Sequence, residues 1–172
     1  VAGAGFDAHV IRQISHQEKR GFTRRWHYTI NLLRSYFGYK PTGIKIWVDD
    51  KRVFNGLVFS IALGICKYNG GGIQQLPDAV ADDGMWDVTL VKPIHIWHVL
   101  FRLKYLYNGG IYRIGHVRHA RGSKIRIEST PEVSLEADGE LLGETPLEFS
   151  ILPRAIRVVV SKEFAERKEE RG

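Results

Sequence analysis

Two carboxylates separated by a single glycine, Asp138-Gly139-Glu140, mark the centre of an acidic run in this chain of 172 residues. Glu128 to Glu148 holds seven Asp or Glu and no Lys or Arg, whereas residues 1–127 carry 19 basic and 8 acidic side chains, and the formal net charge is +6. In Val133-Ser134-Leu135-Glu136-Ala137-Asp138 apolar and polar residues alternate, which points Glu136 and Asp138 away from a core. Glu140 follows two positions on, and Gly139 permits a turn or a close approach to a ligand. Carboxylates this close repel, which raises one pKa unless a cation lies between them. Such a pair can act as a proton acceptor beside a metal-binding or orienting group. The same tripeptide is also good turn chemistry for a solvated hairpin tip.

Asp82-Asp83-Gly84-Met85-Trp86-Asp87 is a second carboxylate cluster. A turn of this kind offers carboxylate and carbonyl oxygens, the donors that Mg²⁺ takes, yet it lacks the ligand periodicity of a calcium loop and reads equally well as a plain turn. Other chemistries are excluded. Gly70-Gly71-Gly72 fits neither phosphate-loop pattern, and no serine sits on a G-x-S-x-G elbow. The histidine pairs His95/His98 and His116/His119 lack the further ligands of a zinc site, and the one cysteine, Cys66, reads as core. A basic stretch, Arg113, His116, Arg118, His119, Arg121, Lys124 and Arg126, follows a segment bearing Trp97, Phe101, Arg102, Lys104 and Tyr105. That mixture suits an anionic membrane face, a phosphate-rich ligand, RNA or a merely solvated surface.

The elements that must position these groups are mostly strands. Ile44–Val48 alternates, and Asp49-Asp50-Lys51-Arg52 turns into Val53–Cys66, an apolar run suited to a strand buried on both faces. Strands are expected at Trp86–Val91, Ile114–Ala120, Lys124–Glu128, Val133–Ala137, Leu147–Leu152 and Ala155–Val160, each bounded by Gly, Pro or Ser. Apolar residues at intervals of three and four predict helices over Gly21–Phe37 and Ile94–Tyr107. The fold class is therefore mainly β, a β-sandwich with two accessory helices, in one domain over residues 1–161 with a charged tail at 162–172. No run of about 18 uncharged apolar residues exists. A single cysteine excludes an internal disulfide and fits a reducing cytoplasm. The chain opens at Val1 without Met, and a domain cut from a longer protein is expected.

Taken in order, Gly5-Phe6-Asp7-Ala8, Asn69-Gly70-Gly71-Gly72, Pro77-Asp78-Ala79, Asp82–Val88 and Asp138-Gly139-Glu140 resemble the C-terminal half of bacterial diacylglycerol-kinase-type lipid kinases, relatives of the sphingosine kinases. The resemblance runs from Val1 to about Val160. It implies the C-terminal lobe of a two-lobed enzyme of the NAD-kinase/diacylglycerol-kinase type, in which ATP and Mg²⁺ lie in a cleft and a lipid hydroxyl is phosphorylated. Glu140 matches the proton acceptor and Asp138 its acidic companion. Asp82, the carbonyl of Met85 and Asp87 match a structural Mg²⁺ site, with Asp83 able to replace Asp82. No Gly-Gly-Asp-Gly-Thr occurs, so the ATP-binding lobe is expected to be missing and the chain inactive alone. The implied partners are a lipid substrate, the N-terminal ATP-binding domain and an anionic membrane surface on the cytoplasmic side, with a homodimer as one option and no nucleic acid. The alternative is a non-catalytic module that binds anionic lipid or RNA through Arg113–Arg126. NAD kinase is the remaining relative, although nothing in the chain is specific to a dinucleotide.

Overall fold

The computed structural model describes residues 1–18, 35–69, 72–153 and 155–161. Among the described residues ten strands form two antiparallel sheets. In chain order they are β1 (Ala2–Gly5), β2 (Thr42–Val48), β3 (Lys51–Val58), β4 (Ser60–Gly64), β5 (Trp86–Val91), β6 (Val117–Gly122), β7 (Lys124–Thr130), β8 (Ser134–Ala137), β9 (Glu140–Glu144) and β10 (Leu147–Ser150). The first sheet has the order β6-β5-β4-β1-β8-β9 and the second β10-β7-β2-β3. Helix α1 (Phe6–Glu18) packs against β1 and β8, and α2 (Ile96–Arg102) leads into a 3₁₀ turn at Leu103–Leu106.

The core lies between the sheets and follows from alternation. Ile44, Ile46 and Val48 of β2 and Ile125 and Ile127 of β7 face Ala2 and Ala4 of β1, Ile61 and Leu63 of β4, and Val88 and Leu90 of β5. Gly122, at the crossing from β6 towards β7, is a close approach. A Cβ there would stand 2.3 Å from Val48 Cγ1 and 2.6 Å from Asp49 Oδ2. Asp49 fastens this corner, its Oδ1 accepting hydrogen bonds from Ser123 N, Ser123 Oγ and Lys124 N at 2.8–3.0 Å.

The β-sandwich expectation holds, with local corrections. Val53–Cys66 is not one buried strand. It changes sheets at Phe59, leaving β3 as a largely exposed edge and β4 wholly buried. The strand expected at Ile114–Ala120 begins at Val117, after a 3₁₀ turn at Gly110–Arg113. Ala155–Val160 forms no strand, and Ile156, Val158 and Val159 are exposed. Most of the helix expected at Gly21–Phe37 lies outside the described residues, although 35–37 are helical. The helix expected at Ile94–Tyr107 is shorter, with its second half wound as the 3₁₀ turn.

Candidate functional site

Both carboxylate clusters lie along one end of the first sheet. Across the ladders, Arg121 pairs with Asp87 and Asp87 with Gly64. Ala2 pairs with both Leu63 and Ala137, so the next row brings Val1 between Gly64 and Asp138. Asp87 and Asp138 are thus three strands apart, roughly 14 Å at about 4.8 Å per strand.

Asp138 and Gly139 form the two-residue turn between β8 and β9. Their φ values of 49° and 91° match the turn type in which both central residues take positive φ, where Asp-Gly is favoured. Asp138 N–H donates to Val1 O at 3.2 Å. Glu140 opens β9, and both side chains are exposed. The turn is fixed from beneath, because Gly139 N–H donates to Glu136 Oε2 at 3.1 Å.

Glu136 departs from expectation. Alternation does turn it away from the sandwich core, but α1 covers that face and leaves Glu136 only 6% exposed. It meets Asp7, from the first turn of α1, above Gly3. A Cβ on Gly3 would lie 2.7 Å from Glu136 Oε1 and 3.0 Å from Asp7 Cβ, so only glycine lets the two acids share this space. Asp7 Oδ2 accepts from Ser60 Oγ at 3.0 Å and Gln75 Nε2 at 3.4 Å, and Gln75 Oε1 accepts from Asn69 Nδ2 at 2.9 Å. Burial, reinforced by the neighbouring Glu136, raises the Asp7 pKa to about 6 despite these hydrogen bonds. Burial likewise raises that of Glu136, opposed by the Gly139 N–H. Asp7 was visible in the sequence only as part of a motif. The signal for its role was the alternation Gly3, Gly5 beside an acid at a helix start.

Phe6, at the start of α1, joins an aromatic cluster that borders a groove. Phe6 stacks on Phe59 at 4.5 Å, and Tyr36 and Tyr39 pack against Phe59 with ring centres 5.5 Å away. The groove, about 280 Å³, is lined chiefly by Tyr36, Phe37, Tyr39, Phe59, Ile94 and Ile96. Tyr36 O–H donates to Ile94 O at 2.5 Å and ties its two walls together.

In the second cluster the structure links Asp83 to Asp87 through Arg121. Asp83 Oδ1 accepts from Met85 N at 2.9 Å, and Gly84 has a φ of 74°. The Arg121 guanidinium bridges the two acids, pairing with Asp83 and reaching Asp87 Oδ2 at 3.3 Å. Asp87 is buried, which raises its pKa, and Asp78 adds to the rise. Asp82 is exposed. Carboxylate and carbonyl oxygens are donors of the kind Mg²⁺ takes, but here Arg121 bridges the two carboxylates, and among the described residues no group of three or more His, Cys, Asp or Glu could hold a metal ion.

The basic stretch does not form one surface. Arg121 is held as above, Lys124 pairs with Glu148 at 3.0 Å, and Arg126 lies over the Trp47 ring at 4.3 Å. Arg113, in the 3₁₀ turn, and Arg118, on β6, are exposed.

Residues 1–160 match the family described as the YegS C-terminal NAD kinase beta sandwich-like domain. The chain belongs to this family. Within it, the chain is similar to a probable lipid kinase YegS-like protein of Shewanella frigidimarina (strain NCIMB 400), at 30% identity over 92% of this chain and 50% of that protein. A diacylglycerol kinase of Bacillus subtilis (strain 168) is 28% identical over 74% of this chain and 42% of its own length. The crystal structure of a provisionally assigned diacylglycerol kinase from Bacillus anthracis str. Sterne shares the fold, with a TM-score of 0.59 and 19% identity over 88% of this chain and 48% of that one. The YegS-type domain thus spans about half the length of the relatives it matches.

Proposed function

We propose that this YegS-type domain is the C-terminal lobe of an ATP-dependent lipid kinase that phosphorylates a lipid hydroxyl such as that of diacylglycerol. The observation that carries this reading is the enclosed Asp7–Glu136 pair beneath the exposed Asp138–Glu140 turn, in a domain that also holds an aromatic groove at Tyr36, Tyr39 and Phe59. An apolar chain would lie against Phe59, Tyr36 and Tyr39, and its polar end would meet the carboxyl groups. Glu140, exposed at the start of β9, would accept its proton. Asp138 would orient the acceptor. Glu136, through Gly139, holds both in register.

Phosphoryl transfer rests on positioning the nucleotide, metal and acceptor together, and Mg²⁺ bound with ATP would neutralise charge on the transferring group. Among the described residues the carboxylates form only one wall for such a reaction. The second wall would come from the N-terminal domain, consistent with the half-length match to the relatives. The turn Asp82–Asp87, through Asp82 or Asp83, the Met85 carbonyl and Asp87, would hold a structural Mg²⁺ in competition with Arg121. Among the described residues no helix is long and apolar enough to cross a membrane; the intact kinase would meet its lipid at the cytoplasmic membrane surface.

The test is ATP-dependent phosphorylation of dispersed short-chain diacylglycerol by this chain alone and by the intact protein. The reading expects turnover only from the intact protein. Failure of the intact protein to phosphorylate any long-chain alcohol, diacylglycerol or sphingoid base would remove it.

A further inference from the structure

Residues 91–117 build a small unit of their own beside the sandwich. Ile111, Ile114 and Val117 are buried against Val91, Ile94, Tyr105, Leu106 and Tyr112. The composition of this unit is one-sided. No Asp or Glu occurs from Val88 to Ile127, while Lys92, Arg102, Lys104, Arg113 and Arg118 fall within or just beyond the unit. Lys104, Arg113 and Arg118 are exposed, and among the described residues none of these cations pairs with a carboxylate.

Large apolar side chains stand out among these cations. Trp97 is 62% exposed and Phe101 80%, and their spacing of four residues puts them on one face of α2. Tyr107, just beyond the 3₁₀ turn, is 53% exposed. Across the aromatic groove stands Phe37, 75% exposed, with the groove wall Ile96 adjacent to Trp97 in sequence. Exposed Trp, Tyr and Phe among unpaired cations match the boundary between headgroups and acyl chains of an anionic bilayer. A protein partner of this face would need acids to answer the cations and would be expected to leave the groove mouth covered.

We propose that α2 and the following 3₁₀ turn dock on an anionic lipid bilayer. Trp97 and Phe101 enter the interface, Lys104 and Arg113 contact acidic headgroups, and the groove between Phe37 and Ile96 opens towards the acyl region. This inference rests on the lipid-kinase reading for its purpose, because it sets the aromatic groove against the bilayer that would hold the substrate. The docking itself needs only the face.

The test uses this chain with phosphatidylcholine vesicles, with and without an anionic phosphatidylglycerol fraction, at low and physiological salt. Binding is expected only to the anionic vesicles and to weaken with salt. K104Q/R113Q weakens it about 25-fold, close to fivefold per cation. W97A/F101A weakens it at least about tenfold, with an unchanged thermal midpoint because both side chains are exposed. Brominated acyl chains quench the Trp fluorescence, and W97F abolishes that quenching. Equal binding by W97A/F101A, no quenching through Trp97, or a preference for RNA over vesicles overturns the proposal. In the intact protein W97A/F101A slows phosphorylation of vesicle-borne diacylglycerol and spares dispersed short-chain substrate. Turnover of the dispersed substrate without vesicle binding defeats the docking proposal alone. Vesicle binding through Trp97 without any lipid phosphorylation defeats only the kinase reading.

Discussion

Replacing Asp7 by Asn should stabilise the protein at neutral pH while harming its function. In the folded chain the Asp7 carboxyl titrates at about 6, against 3.8 for an ordinary aspartate. Between those values the unfolded chain has released a proton that the folded chain keeps, so stability falls as pH rises from about 4 to 6 and then levels off. The difference, at 1.36 kcal/mol per pH unit, is about 3 kcal/mol as an upper bound, because Asp7 keeps some contact with solvent. The amide carries no charge to desolvate and keeps an oxygen for the Ser60 hydroxyl. Thermal and urea unfolding of both proteins from pH 4 to pH 8 should give equal stability at the acid end. Towards pH 8 Asp7→Asn should become more stable by about 2 kcal/mol, roughly 4–8 °C in Tm for a domain of this size. A gap that stays constant with pH, or an Asp7→Asn protein less stable at pH 8, would refute the reasoning. A buried acid kept at such a cost is the pattern of a functional site.

Gly3→Ala forces a methyl group into Glu136 and Asp7 and should lower the urea-unfolding free energy by about 1–3 kcal/mol. Asp7→Ala in the same chain should recover part of that loss, which checks the cause. Arg121→Gln removes the part-exposed guanidinium that links Asp83 to buried Asp87, and should destabilise by about 1 kcal/mol in EDTA. Millimolar Mg²⁺ should restore more stability to this variant than to the parent in differential scanning calorimetry, and equal responses would count against a shared carboxylate site.

The two-sheet architecture was readable because β2, β5, β7 and β8 alternate or run apolar between clear turn signals. The misses have local causes. Ala2-Gly3-Ala4-Gly5 is a central strand made of residues that disfavour strands, and it is tolerated because their small size admits α1 above and the acid pair beside it. β9 is an exposed edge whose Glu-Leu-Leu-Gly-Glu pattern has no buried face to betray it. Periodicity could not reveal that the chain crosses between sheets at Phe59, since both halves of Val53–Cys66 are apolar. Alternation placed Glu136 on the outer face correctly, but nothing in it showed that a helix covers that face. The Arg121 link joins residues 34 and 38 positions apart and follows only from the β5–β6 register.

The most direct test of the central claim is the turnover of diacylglycerol by the intact protein carrying Glu140→Gln. Glu140 is exposed and fixed by the backbone turn rather than by its own side chain, so the fold and substrate affinity should survive the change. Loss of a proton acceptor lowers kcat by about 10²–10⁴-fold with KM little altered. Wild-type kcat in a correctly folded Glu140→Gln protein would contradict the account.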